Sequence, residues 1–278
     1  MSADVPLWVD THCHVDAAEF DADRDAVVER AAARGVRVIV IPAVDVAGFG
    51  RVVDCARRHG LAYTLGIHPL YVEQAADDDL DRVEAAARDA LGDPHFVGIG
   101  EIGLDFFVEG ADVKRQQHFL VRQLQLAKRL DLPVVLHVRR AVDDVLRQIR
   151  HSDVRGGIAH AFNGSEEQAA AYRRAGLRLG FGGAATYDGS KRIRRLVAGL
   201  PDDAWVLETD APDMPPQWLR DVTASPRNEP GELPRIAGEI ARLRRVTPQA
   251  LAEQGLRNAL AALPRLRQLE AMAREGAA

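Results

Sequence analysis

Cysteine is almost absent from this chain: among 278 residues only Cys13 and Cys55 are thiols, one in a strand-like run and one in a helix-like run. Two such residues make no disulfide framework, and both read as reduced thiols. Long hydrophobic runs are missing as well. The longest buried-looking stretch, Val38 to Val44, is broken by Pro42 and falls far short of the ~20 residues a membrane helix needs. Ahead of Asp10 no basic segment leads into a long apolar one, so a secretory leader is not expected and the cytoplasm is the expected location. Nor is there a surplus of positive charge. The 36 basic and 41 acidic residues leave a net charge of −5, which does not favour a grip on long duplex DNA through overall basicity. Low-complexity tracts and repeats of fixed period are lacking too.

What is present is an ordinary globular composition, 47% hydrophobic and 28% charged. Short β-branched or apolar runs alternate with longer amphipathic segments, the pattern of consecutive βα units around a parallel sheet. The runs are Leu7 to Asp10, Val36 to Ile41, Ala62 to Ile67, Phe96 to Glu101, Pro133 to His137, Gly157 to His160, Leu177 to Phe181 and Trp205 to Glu208. Helical spacing marks Asp23 to Ala33, Val113 to Leu130 and Glu166 to Ala175, and Gly35, Gly60 and Gly176 stand where helix C-caps belong. Eight alternating units in a chain of this length predict an α/β fold, a (β/α)8 TIM barrel, as one domain over residues 1–278. The proline-rich stretch Ala211 to Pro234 follows the eighth run and reads as a loop over the catalytic face, since too few residues follow it for a second domain.

Metal-competent side chains collect at the ends of those runs. In Asp10-Thr11-His12-Cys13-His14 the alternation of a strand sends His12 and His14 to one side and Cys13 to the other. Glu101 ends the fourth run among glycines, where it can bridge two cations or pair with a rim arginine. His137 ends the fifth, His160 the sixth, and Asp210 follows the eighth. Barrel enzymes assemble their sites from the C-terminal ends of several strands. By contrast His59, His95, His118 and His151 fall on helices or before a strand, whereas His68 follows the third run. Four histidines, one glutamate and one aspartate suffice for two divalent cations, with one as the minimum, and hydrolysis is the reaction class they imply.

Asp10-Thr11-His12-Cys13-His14, Gly66-Ile67-His68-Pro69, Gly100-Glu101-Ile102-Gly103-Leu104-Asp105, His160-Ala161-Phe162-Asn163-Gly164, Glu208-Thr209-Asp210-Ala211-Pro212 and Arg227-Asn228-Glu229-Pro230 together resemble the TatD family of metal-dependent hydrolases, in family order. The resemblance implies an amidohydrolase-like barrel and a Mg²⁺- or Mn²⁺-dependent nuclease acting mostly on DNA. It assigns His12, His14, Glu101 and Asp210 to one metal and Glu101, His137 and His160 to the other, with Asp210 taking a proton from the attacking water. His68 and Arg227 are the expected phosphate contacts, or else a loop-fixing histidine and an exposed loop arginine. In His137-Val138-Arg139-Arg140-Ala141, Arg140 stands where the family usually has an acid, a departure similar to the YjjV-like branch.

Imidazole ligands also suit Zn²⁺. The expected partner is nucleic acid, as a single strand or an end; neither a membrane nor an obligate protein partner is implied. Two rival functions share these residues: an amide or ester hydrolase of the amidohydrolase superfamily, and a non-catalytic nucleic-acid-binding protein on an enzyme fold. Lys191-Arg192-Ile193-Arg194-Arg195 reads as solvated charge on an outer helix, and Gly180-Phe181-Gly182-Gly183 as the end of the seventh strand rather than a phosphate loop.

Overall fold

The computed structural model describes residues 6–223 and 225–275; residues 1–5, 224 and 276–278 of the expected single unit lie outside them. Eight strands, β1 (Trp8–Asp10), β2 (Val36–Pro42), β3 (Ala62–Leu65), β4 (Phe96–Asp105), β5 (Val134–Arg139), β6 (Gly157–Ala159), β7 (Leu177–Phe181) and β8 (Trp205–Leu207), form one sheet in sequence order. Every neighbouring pair is parallel. The first and last strands meet through the Thr11 N–H on the Leu207 carbonyl at 3.0 Å and the Asp210 N–H on the His12 carbonyl at 2.8 Å. Buried Asp10 adds a clasp by accepting from the Thr209 N–H at 3.0 Å. The sheet thereby curls into a (β/α)8 TIM barrel.

Helices α1 (Arg24–Ala33), α2 (Phe49–His59), α3 (Asp79–Asp89), α4 (Val113–Leu130), α5 (Val142–Ser152), α6 (Glu166–Arg174) and α7 (Lys191–Gly199) follow β1 to β7 in turn. Their ends obey the local code. The Ser165 hydroxyl and the Gln168 side chain make a capping box at the start of α6, and Gly60, at φ 68°, closes α2 in the left-handed region that a side chain disfavours. After β8 come the short α8 (Gln217–Arg220), then α9 (Leu233–Arg244), α10 (Pro248–Ala262) and α11 (Leu266–Glu275).

The apolar side chains separate into two layers. Val9, Val38, Val40, Ala62, Val97, Val135, Ile158 and Val206, from seven strands, cluster inside the barrel with Leu263, Leu266 and Leu269. The C-terminal helices therefore plug the end of the barrel opposite the strand C-termini. The larger layer, with Ile39, Ile41, Phe119, Leu124 and Tyr172, lies between the strands and the outer helices.

Strand ends differ from the sequence pattern at functional points. β4 runs on to Asp105, past the expected end at Glu101, because Ile102 to Asp105 pair with Leu136 to Arg139 beyond a shift in register. His137 consequently lies within β5, while β6 and β8 stop one residue early and leave His160 and Glu208 in the loops.

Candidate metal centre

At the C-terminal mouth the side-chain alternation of β1 carries into its loop. His12 and His14 turn their Nε2 atoms to within 3.2 Å of each other, and Cys13 goes to the outer layer, where its Sγ lies 3.7 Å from the Ala211 carbonyl. Between the strands stands Glu101, 2% exposed. Its Oε2 faces β1, 3.2 Å from His12 Nε2 and 3.5 Å from His14 Nε2. Its Oε1 faces the other way, 2.9 Å from His160 Nε2, 3.0 Å from His137 Nδ1 and 3.4 Å from His68 Nε2. Asp210 closes the β1 side, with Oδ1 3.5 Å from His12 Nε2.

The turn after each of three strands is abrupt. Arg140, Ala161 and Asp210 adopt φ of 55°, 47° and 57°, a left-handed conformation that side-chain-bearing residues keep only where the surroundings enforce it. Such turns set His160 and Asp210 over the barrel axis instead of letting the chain leave along the strand.

Three overlapping groups offer ligand atoms within 4.8 Å of one another: His12, Glu101 and His160; His12, His14 and Asp210; His68, Glu101 and His137. Imidazole nitrogen with carboxylate oxygen is a donor set for a divalent cation. Ring nitrogens meet face to face, as in His160 Nε2 and His137 Nδ1 at 3.3 Å, and the His12 and His160 rings stack at 3.8 Å. A cation relieves that crowding, and these residues fit one.

Charge within the metal-free cluster follows from burial and neighbours. Burial by itself would raise Glu101, but His160, His68 and His12 hold its carboxyl well below the usual range. Burial and then the neighbouring His160 keep His12 well below an ordinary histidine. For His14 and His160 burial opposes protonation and the adjoining Glu101 outweighs it, giving about 9 and about 10. Burial raises Asp210.

His68 has a fixed tautomer. Its Nδ1 accepts the Leu70 N–H at 3.1 Å, so the proton sits on Nε2, which points at Glu101 as a donor. In that state it suits an anionic oxygen better than a cation.

Arg227 is the expected site residue that the cluster does not include. Its guanidinium lies 2.7 and 2.8 Å from the two Asp23 oxygens and 2.8 Å from Glu229, and it stacks over Phe20. Two carboxylates occupy its fork, and through them Arg227 braces the start of α1 against the segment after β8. His59, His95 and His151 are elsewhere: His59 Nε2 lies 3.3 Å from Asp25, and His95 and His151 bond to the Leu61 and Arg147 carbonyls.

Two carboxylates escaped the sequence reading. Asp105 Oδ2 lies 2.9 Å from His137 Nε2, so it fixes the ring whose other nitrogen faces Glu101. The sequence places an acid there in Gly103-Leu104-Asp105, but the expected strand stopped short of it. Glu208 accepts the Ala161 N–H at 2.6 Å and lies 4.0 Å from His160 Nδ1. It occupies a hollow left by Gly180, where a Cβ would overlap its carboxylate. Burial pushes Glu208 up to about 8, so at neutral pH it is largely uncharged.

Known proteins are similar to this chain in sequence and fold. A family model described as TatD related DNase matches residues 9–264. The metal-dependent hydrolase YjjV of Escherichia coli K12 is 38% identical over 253 residues, which cover 90% of this chain and 95% of that protein. The 3'-5' ssDNA/RNA exonuclease TatD of Rahnella sp. Y9602 is 34% identical over 245 residues, covering 86% and 92%. The crystal structure of YjjV from E. coli K12 matches with a TM-score of 0.87 at 36% identity, over 92% of this chain and 98% of that one.

Proposed function

The chain belongs to the TatD related DNase family of metal-dependent hydrolases, and from that premise we propose that it is a deoxyribonuclease, a phosphodiesterase working from the end of a DNA strand with two divalent cations. The observation that carries the two-cation reading is the orientation of Glu101, one oxygen toward the β1 histidines and the other toward His137 and His160. A bridging carboxylate needs that disposition.

Bound at these residues, Mg²⁺ or Mn²⁺ (or Zn²⁺, which imidazole also suits) would supply Lewis acidity toward a phosphodiester oxygen and acidify a nearby water. His12, His14, Glu101 and Asp210 would hold one ion, and Glu101, His137 and His160 the other. Asp210 is the proton acceptor for the attacking water, since it edges the cluster at 13% exposure and burial raises its proton affinity. His68 donates from Nε2 to a phosphate oxygen, held for that task by the Leu70 N–H. The relative named as a single-stranded DNA and RNA exonuclease supports a nucleic-acid substrate, and a net charge of −5 favours ends over long duplex.

The test is metal-stripped protein with end-labelled single-stranded DNA, with Mg²⁺, Mn²⁺ or Zn²⁺ restored separately. DNA is expected to shorten only with metal, and Glu101→Ala and Asp210→Asn to lose at least about a hundredfold in rate. Silence on DNA combined with metal-dependent cleavage of a carboxylic ester or amide overturns the nuclease reading.

A further inference from the structure

Beyond the ligand cluster, the rim of the mouth carries side chains that the proposed chemistry does not use. Among the described residues the exposed aromatic side chains are Tyr71 and Phe107, 39% and 43% accessible, on the loops that follow β3 and β4. Those loops are tied together. The Asp112 N–H bonds to Glu73, and Arg115, at the start of α4, reaches back to the Val72 and Ala75 carbonyls.

Phe107 is held close to the metal ligands. Its N–H donates to Asp105 Oδ1 at 2.8 Å, and the other oxygen of that carboxylate is the partner of His137. Two guanidinium groups from the end of β5 lie over its ring, Arg139 at 3.8 Å and Arg140 at 4.6 Å from the centroid. Neither charge is well matched. Arg139 has only Asp105 at 3.9 Å, already engaged with His137, and among the described residues no carboxylate pairs with Arg140. In a chain of net negative charge, two poorly compensated arginines stacked on an exposed ring at a hydrolase mouth call for a ligand with a flat face and an anion.

We propose that Phe107, Arg139 and Arg140 form a nucleotide subsite, which takes a base of a single strand onto the ring and guanidinium planes and its phosphate onto the arginines. An unpaired base has an open face to add to such a stack, whereas a base inside a duplex has none. The subsite rests on the nuclease reading above and deepens it to single-stranded ends.

The experiment uses metal-free enzyme in EDTA and a short fluorescein-labelled oligothymidylate, with binding followed by anisotropy at several salt concentrations. Phe107→Ala is expected to weaken binding about tenfold, and Phe107→Trp to restore it. Arg140→Gln is expected to lower the slope of log affinity against log salt by about 0.7. Melting temperature and Mn²⁺ stoichiometry serve as the fold control for each variant. If wild-type enzyme cleaves DNA but all three variants bind the strand as it does, the subsite is wrong and the nuclease reading stands. If wild type neither binds the strand nor shortens DNA, both are wrong. Equal affinity for a blunt duplex of the same length also overturns the subsite, since stacking on Phe107 requires an unpaired base.

Discussion

Asp105 shows how one buried side chain serves two tasks. Its carboxylate holds His137 through one oxygen and the Phe107 N–H through the other, while the Gln116 side chain donates to its backbone carbonyl. A histidine ligand keeps its ring orientation when a carboxylate fixes the far nitrogen, and losing such a partner typically lowers metal affinity about 10- to 100-fold. Asp105→Asn should therefore weaken Mn²⁺ binding by that order, as followed by the electron paramagnetic resonance of free Mn²⁺. Unchanged Mn²⁺ affinity would assign Asp105 to loop structure alone. Glu208 is a quieter case: Gly180 leaves room for it, and being mostly neutral at pH 7 it sits near His160 without adding charge to the cluster.

Among the elements, α11 and the end of α10 decide whether the barrel stays closed at the bottom. Leu263 and Leu266 are fully buried and Leu269 is 3% exposed, all against the interior valines. The Arg265 guanidinium fastens this plug to the Phe96, Leu91 and Asp93 carbonyls at the start of β4. Removing a buried leucine side chain deletes its transfer energy and leaves a cavity, so Leu266→Ala should destabilise the protein by about 2–5 kcal/mol. Urea denaturation measures it, and a change below about 1 kcal/mol would mean that the plug relaxes into the space. The segment after β8 is equally specific. The Asn228 side chain donates to the Thr209 and Asp213 carbonyls, and the Trp218 indole N–H to Glu232, so proline content there accompanies a folded connection.

On the scale of the whole molecule, six of the eight strands deliver residues to one small volume, and protonation of that volume couples to metal. With His14 raised to about 9 and His160 to about 10, both rings hold protons at neutral pH in the metal-free protein. A cation must displace them, so metal affinity should rise as pH climbs toward those values and fall below them. Calorimetry of Mn²⁺ binding in buffers of different ionisation heats counts the protons, and release of none at pH 7.5 would contradict this charge distribution. The sequence by itself determined the barrel, from alternating βα periodicity, and which metal-competent side chains gather at its mouth, because strand alternation is a local feature: His12, His14, His137, His160, Glu101 and Asp210 needed no partner to be read as the proposed ligands. Only the tertiary structure decided where Arg227 goes, since its partner Asp23 is 204 residues away and nothing in local spacing links them. The same holds for the extension of β4, which depends on its register with β5, and for the Asp105–His137–Phe107 chain that follows from it. Periodicity fixes which way a side chain points from its own strand, but which atoms it meets is set by the closure of the sheet.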